Sequence, residues 1–128
     1  MITVWRIEHP KSHMGPYTSP TLWDSGGYGY IGHLPPETPN HPCIMEDCGF
    51  HYTRWPHGLV VGCKSLEDLC YWFAGAVRVL DECGFVLREY QVDPEDIHYG
   101  KSGIQLAFFP PADNGIEHSV WKMLDGFD

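Results

Sequence analysis

GLVVGCKSLEDLCYWFAGAVRVLDECGF, residues 58 to 85, contains a short strand and a long helix in one uninterrupted run. Gly58 to Cys63 is a brief apolar stretch of strand length. Ser65 is placed to cap a helix, with Asp68 three residues on completing a capping box and Glu67 favouring the positive helix end. Leu66, Leu69, Cys70, Phe73, Ala76, Val77 and Leu80 then recur at the spacing of one helical face. Gly84 stands where a left-handed residue closes a helix, and Phe85 can fold back on the last turn. The spacing predicts one long amphipathic helix over about 65–83, packed against strands.

Working outward, residues 2 to 9 alternate as a strand. Ile2, Val4, Arg6 and Glu8 lie on one face, and Thr3, Trp5, Ile7 and His9 on the other, with Pro10 ending the run. After the helix, VLREYQV (86–92) reads as a strand, DPED as a turn, IHY (97–99) as a short extended piece and GKSG (100–103) as a tight connection. Ile104 to Phe109 is a last strand, closed by Pro110 and Pro111. The tail from Asn114 to Phe127 fits one short helix with Ile116, Val120 and Leu124 on one side. Residues 11 to about 57 lack periodicity and are rich in Pro, Gly, Ser and Thr, with a brief strand near Tyr28 to Gly32. A segment of that length more often carries function than mere connection. The expected fold is a single α+β domain over 1–128, with a small, mostly antiparallel sheet, one long helix and a long irregular region.

Composition narrows the function classes. The chain has 128 residues and a net charge of −9, against the basic surplus that a nucleic-acid binder needs. It suits a partner with a basic surface. No apolar run is long enough to span a bilayer, and five cysteines without framework spacing fit reduced thiols, so a cytoplasmic protein is expected. Aromatics make up 14% of residues, enough for an aromatic core, pocket or interface.

Three sets of residues bear chemistry. HPCIMEDCGFH gathers His41, Cys43, Cys48 and His51, with His57 close by. These are zinc-type ligands, but the spacing matches no strong zinc pattern, so zinc is not expected and Cys43, Cys48 and His51 are weak candidates. Cys63, just before the helix cap, has the place of an activated thiol but no identifiable base, and reads with Cys70 as a core residue. Finally, Arg6 and His9 on the first strand, Ser65 at the helix start, Tyr71 and Trp72 outside the helix stripe, and Gln105 on the last strand form a set suited to a phosphate-bearing, ring-containing ligand. The alternative reading has Arg6 and Glu8 facing water and Ser65 only capping its helix.

RIEHP (6–10), GPY (15–17), HP (41–42), GCKSLEDLCYWF (62–73), GFVLREYQVDPEDI (84–97) and the turn from Gly100 to Gln105 together resemble a class of small phage- and prophage-encoded proteins. More distantly, the order of strand, helix corner and late strand resembles ADP-ribosyltransferase-like folds. That resemblance implies NAD as cofactor, held by Arg6, His9, Ser65, Tyr71 and Trp72, with Gln105 in the catalytic place. The family carries a glutamate there. A neutral amide stabilises a ribose cation poorly, so the resemblance also implies an inactive relative that only binds. Three functions follow as expectations: an ADP-ribosyltransferase-like phage accessory protein acting on a host or rival factor, a non-catalytic acidic anti-defence inhibitor of a basic host protein, or a zinc-stabilised interaction module.

Overall fold

The computed structural model describes residues 1–16, 47–50 and 56–127. Two three-stranded antiparallel sheets form its frame. The first has the order β1 (Ile2–Glu8), β3 (Val86–Val92), β6 (Ile116–Ser119), and the second β2 (Val60–Gly62), β5 (Leu106–Phe108), β4 (Ile97–Tyr99). Trp5 and Cys63 join the sheets by exchanging two backbone hydrogen bonds of 2.8 Å, each N–H donating to the other's carbonyl. The α+β class expected from the sequence is the one observed.

The helical segment lies where its periodicity places it, but it is broken. Helix α1 spans Leu66–Phe73 and α2 spans Val77–Glu82, with a 3-10 turn at Ala74–Ala76 between them. Ser65 Oγ accepts from the backbone N–H of Asp68 at 3.1 Å, the capping bond the sequence predicts. At the far end Gly84 adopts φ +84°, the Phe85 N–H donates to the Leu80 carbonyl at 3.0 Å, and Phe85 is buried.

The first sheet carries a core cluster on each face, and this decides where its apolar side chains go. On one face Ile7 and Leu87 pack with Leu69, Trp72, Phe73, Val77, Leu80, Val120 and Met123. On the other, Val4, Tyr90 and Val92 meet Ile97, Leu106 and Phe108 from the second sheet. Gly62 makes this close approach possible. A Cβ there would stand 2.7 Å from the Trp5 carbonyl oxygen, 2.8 Å from Val4 Cγ1 and 3.0 Å from Phe108 Cε1.

Three expectations change. The tail does not form one helix: Ile116–Ser119 is strand β6, paired antiparallel with β3, and only Val120–Phe127 is helical, as a 3-10 segment. Asn114 and Gly115, at φ 62° and 65°, turn the chain so that Ile116 meets Glu89 across the sheet. Trp72 belongs to the core rather than lying outside the apolar stripe, because the tail packs over the side of α1 that a two-layer fold would leave open. The last strand is shorter than 104–109, because Gln105 closes the preceding turn through its carbonyl, which accepts from the Gly100 N–H at 3.0 Å. The strand expected near Tyr28 to Gly32 lies outside the described residues.

Gly62→Ala should destabilise the fold by about 1–3 kcal/mol, as overpacking does. Gly75→Ala, where a Cβ meets nothing within 4 Å, should be neutral or stabilising by up to about 1 kcal/mol. Chemical denaturation of the two variants beside the parent checks both.

Candidate functional site

Register sets the site. Arg6 stands opposite Arg88 and Val4 opposite Tyr90, with Glu8 two residues further along β1 on the same face. Two guanidinium groups and a phenol therefore converge on one carboxylate. Glu8 is 1% exposed and Arg6 7%. Tyr90 Oη donates to Glu8 Oε1 at 2.6 Å, and His13 Nδ1 lies 2.5 Å from Oε2. Arg6 Nε stands 3.3 Å from Oε1 and Arg88 Nε 3.7 Å from Oε2, close enough for charge attraction but outside hydrogen-bond geometry.

The outer nitrogens of both arginines are already engaged. Arg6 Nη1 donates to the Val61 carbonyl at 2.8 Å and Nη2 to the His13 carbonyl at 2.9 Å. Arg88 Nη1 donates to the Asn114 carbonyl at 3.4 Å, and Nη2 pairs with Glu117 Oε1 at 3.2 Å. His13 and Asn114 are the two non-glycine residues with positive φ among those described, and each presents its carbonyl to one of these arginines. The bonds to an ionised donor hold backbone conformations that side chains ordinarily avoid.

Electrostatics follow from burial. Desolvation lowers the Arg6 pKa, opposed chiefly by the charge of Glu8. Burial, and then the bond to and charge of Glu8, push the Tyr90 phenol well above its ordinary value, with both arginines acting the other way. A buried carboxylate flanked by two cations has its charge compensated, whereas any one of the three left alone would carry an uncompensated buried charge.

The remaining candidates are dispersed. His9 is on the opposite face of β1 from Arg6, its ring edge-on to Phe85 at 5.9 Å between centroids. Ser65 Oγ is occupied by its capping bond. Tyr71 is 53% exposed on α1, while Trp72 beside it lies in the core on the far side of the sheet from Arg6. Gln105 is buried immediately before β5, where the preceding turn closes. Arg6, His9 and Trp72 are thus not brought to one surface.

Cys43 and His51 lie outside the described residues. Cys48 Sγ donates to the His98 carbonyl at 3.4 Å, and burial together with Asp47 pushes its thiol up to about 11, away from the thiolate that binds metal. Burial, with Asp68 adding to it, raises the Cys63 thiol further, as a core cysteine requires.

Sequence reasoning missed Asp47. It is 5% exposed and accepts from the Ser102 N–H and from Ser102 Oγ, each at 2.7 Å, while its carbonyl accepts from the Lys101 N–H at 2.8 Å. Its carboxylate occupies the space that a Cβ on Gly100 would take. The GKSG turn is therefore shaped around a buried carboxylate, and its glycines are the signal that could have revealed it.

The model of the bacteriophage T4 Y00F protein family matches residues 1–118, and the chain belongs to that family. No curated protein and no solved structure matches. The family match supports the phage origin implied by the sequence resemblance and says nothing of ADP-ribosylation. No helix among the described residues is long and apolar enough to cross a membrane.

Replacing Glu8 by Ala should cost about 3–5 kcal/mol, because it leaves the two arginines buried without their counter-charge. Tyr90→Phe should cost about 1.5–3 kcal/mol, the worth of a hydrogen bond to a charged group. The raised phenol adds a pH signature. The folded state favours neutral Tyr90, so its contribution is complete below the unfolded value of about 10 and is lost as pH rises beyond it. Denaturation midpoints measured across that alkaline range should fall less steeply for Tyr90→Phe than for the parent.

Proposed function

We propose that this phage protein is a non-catalytic accessory factor that binds a basic surface of a host or rival protein and blocks it. The observation carrying this reading is the distribution of charge. The arginines of the first sheet are turned inward and neutralised against Glu8 and Glu117. Glu67, Asp81, Glu82, Asp93, Glu95, Asp96, Asp113, Glu117 and Asp125 are left exposed, against Lys11, Lys64, Arg78 and Lys101 among the described residues. A surface of this kind repels nucleic acid and steers towards basic protein patches.

The dinucleotide reading receives no such support. It needs Arg6 to meet phosphate, and both terminal nitrogens of Arg6 are committed to backbone carbonyls inside the fold. Gly15 lies against the same guanidinium, where a Cβ would stand 3.5 Å from Nη2. Ser65 likewise has its hydroxyl committed to the helix. These residues serve the fold, and the surface is left for recognition.

Solution binding to purified host nucleic-acid-binding proteins with basic grooves tests the reading. A complex should form that weakens by on the order of tenfold or more between about 50 mM and about 300 mM salt. The double variant Glu95→Lys, Asp96→Lys should bind more weakly still. Calorimetric binding of NAD at micromolar concentration, or a host complex indifferent to salt, would overturn it.

A further inference from the structure

Among the described residues, the helix-facing side of the first sheet is only half covered. α1, α2 and the tail pack on Ile7 and Leu87, and Trp5 is partly buried against the same core, while the other half of that face carries Thr3, Glu89, Gln91, Ile116 and His118 beside the remaining surface of Trp5. Ile116 is 56% exposed and Gln91 is exposed; the Glu89 and His118 side chains are 23% and 25% exposed.

Their hydrogen bonds leave several acceptor atoms unused. His118 Nε2 lies 2.9 Å from Glu89 Oε1. A carboxylate can only accept, so Nε2 carries the proton, and in the neutral ring Nδ1 is left as an acceptor. Gln91 Nε2 donates to Thr3 Oγ1 at 2.9 Å, which leaves Gln91 Oε1 as an acceptor as well. Glu89 Oε2 has no partner among the described residues. The indole of Trp5 stands beside His118, with ring centroids 5.8 Å apart and planes tilted at 43°. The strand residues on this face include no lysine or arginine, because Arg6 and Arg88 belong to the other side.

We propose that this half-face is an arginine-binding site and that it receives an arginine side chain of the basic partner. The inference rests on the preceding reading of the function and names the contact through which it operates. A guanidinium is a flat cation with five donors and no acceptor. Trp5 supplies an aromatic surface for it, Glu89 a counter-charge with one unused oxygen, and Gln91, with His118 in its neutral form, acceptors around it. An anionic ligand would meet the Glu89 carboxylate here, with no lysine or arginine on these strands to offset it. A lysine ammonium would gain the charge but lose the planar stacking and the fork of donors.

The probe is acetylated tri-arginine amide, with tri-lysine amide as its counterpart, titrated into the full chain under nuclear magnetic resonance observation. Tri-arginine should shift the Trp5 indole N–H and the His118 ring signals saturably, and more tightly than tri-lysine. Glu89→Gln should weaken binding by roughly tenfold. Gln91→Glu, at an exposed position, should tighten it, which keeps the test decisive if Glu89→Gln fails to fold. Shifts centred on Asp93–Asp96 instead, equal binding of the two peptides, or indifference to both substitutions would overturn the site. Host-protein capture that persists in Glu89→Gln would remove the site while leaving the functional reading in place. Tri-arginine binding at Trp5 without any salt-sensitive protein partner would do the reverse.

Discussion

The structure depends on a carboxylate that water does not reach. Glu8 ends the first strand with its side chain inside the fold, and Arg6, Arg88, Tyr90 and His13 are arranged so that its charge is met from several directions. A network of this kind does not make a fold stable by itself, because each ion has given up its hydration. What it does is make the alternatives costly. A one-residue slip of β1 against β3 would send Arg6 and Glu8 into the helix-facing core and separate them from Tyr90. The register that aligns Arg6 with Arg88 is tolerable only because Glu8 lies between their charges, so the carboxylate and the pairing specify each other.

The network also reaches beyond the sheet. Arg6 holds the carbonyl of His13, in the turn that leads away from β1, and Arg88 holds that of Asn114, in the turn that leads into β6. Both residues adopt positive φ, a conformation for which glycine is the usual choice. In each case a buried or nearly buried cation replaces the freedom that glycine would have provided. One electrostatic centre thereby fixes the departure of the chain on one side of the sheet and its return on the other.

Most of the fold was legible in the sequence, and the reasons are specific. The helical segment carries its signals locally, from the Ser65 cap to Gly84, so no distant contact was needed to read it. Its break at Ala74–Ala76 was not legible, because Ala and Gly do not disturb an apolar stripe. β6 was misread for a related reason. Ile116, Val120 and Leu124 satisfy a helical period, and only pairing with β3 decides that the first of them is in a strand. The face assignments on β1 were right, yet the inference drawn from Arg6 and Glu8 was incomplete. A polar pair on one face of a strand reads as solvent-facing until the strand opposite is known, and the second sheet that covers it is encoded far along the chain, in Val60–Gly62 and Leu106–Phe108. The matching signal lay in REY at 88–90, whose arginine and tyrosine repeat the alternation of β1 in the register that brings them to Glu8.

Charge, finally, links the interior to the surface. The chain has eight Lys and Arg residues against seventeen Asp and Glu. Arg6 is taken inside and Arg88 nearly so, and both spend their hydrogen bonds on the chain itself. Folding therefore withdraws cations from a surface that already has few, and it does so on one face of the first sheet only. The opposite face of the same strands keeps Glu89 without an arginine beside it, its neighbours being His118 and Trp5. The alternation of a β-strand thus gives the two faces different chemistry from adjacent residues: Arg88 and Tyr90 complete a closed internal network, while Glu89 and Gln91 leave acceptors that no described residue fills. A surface that has lost its own guanidinium groups to the interior is chemically suited to accept one from elsewhere.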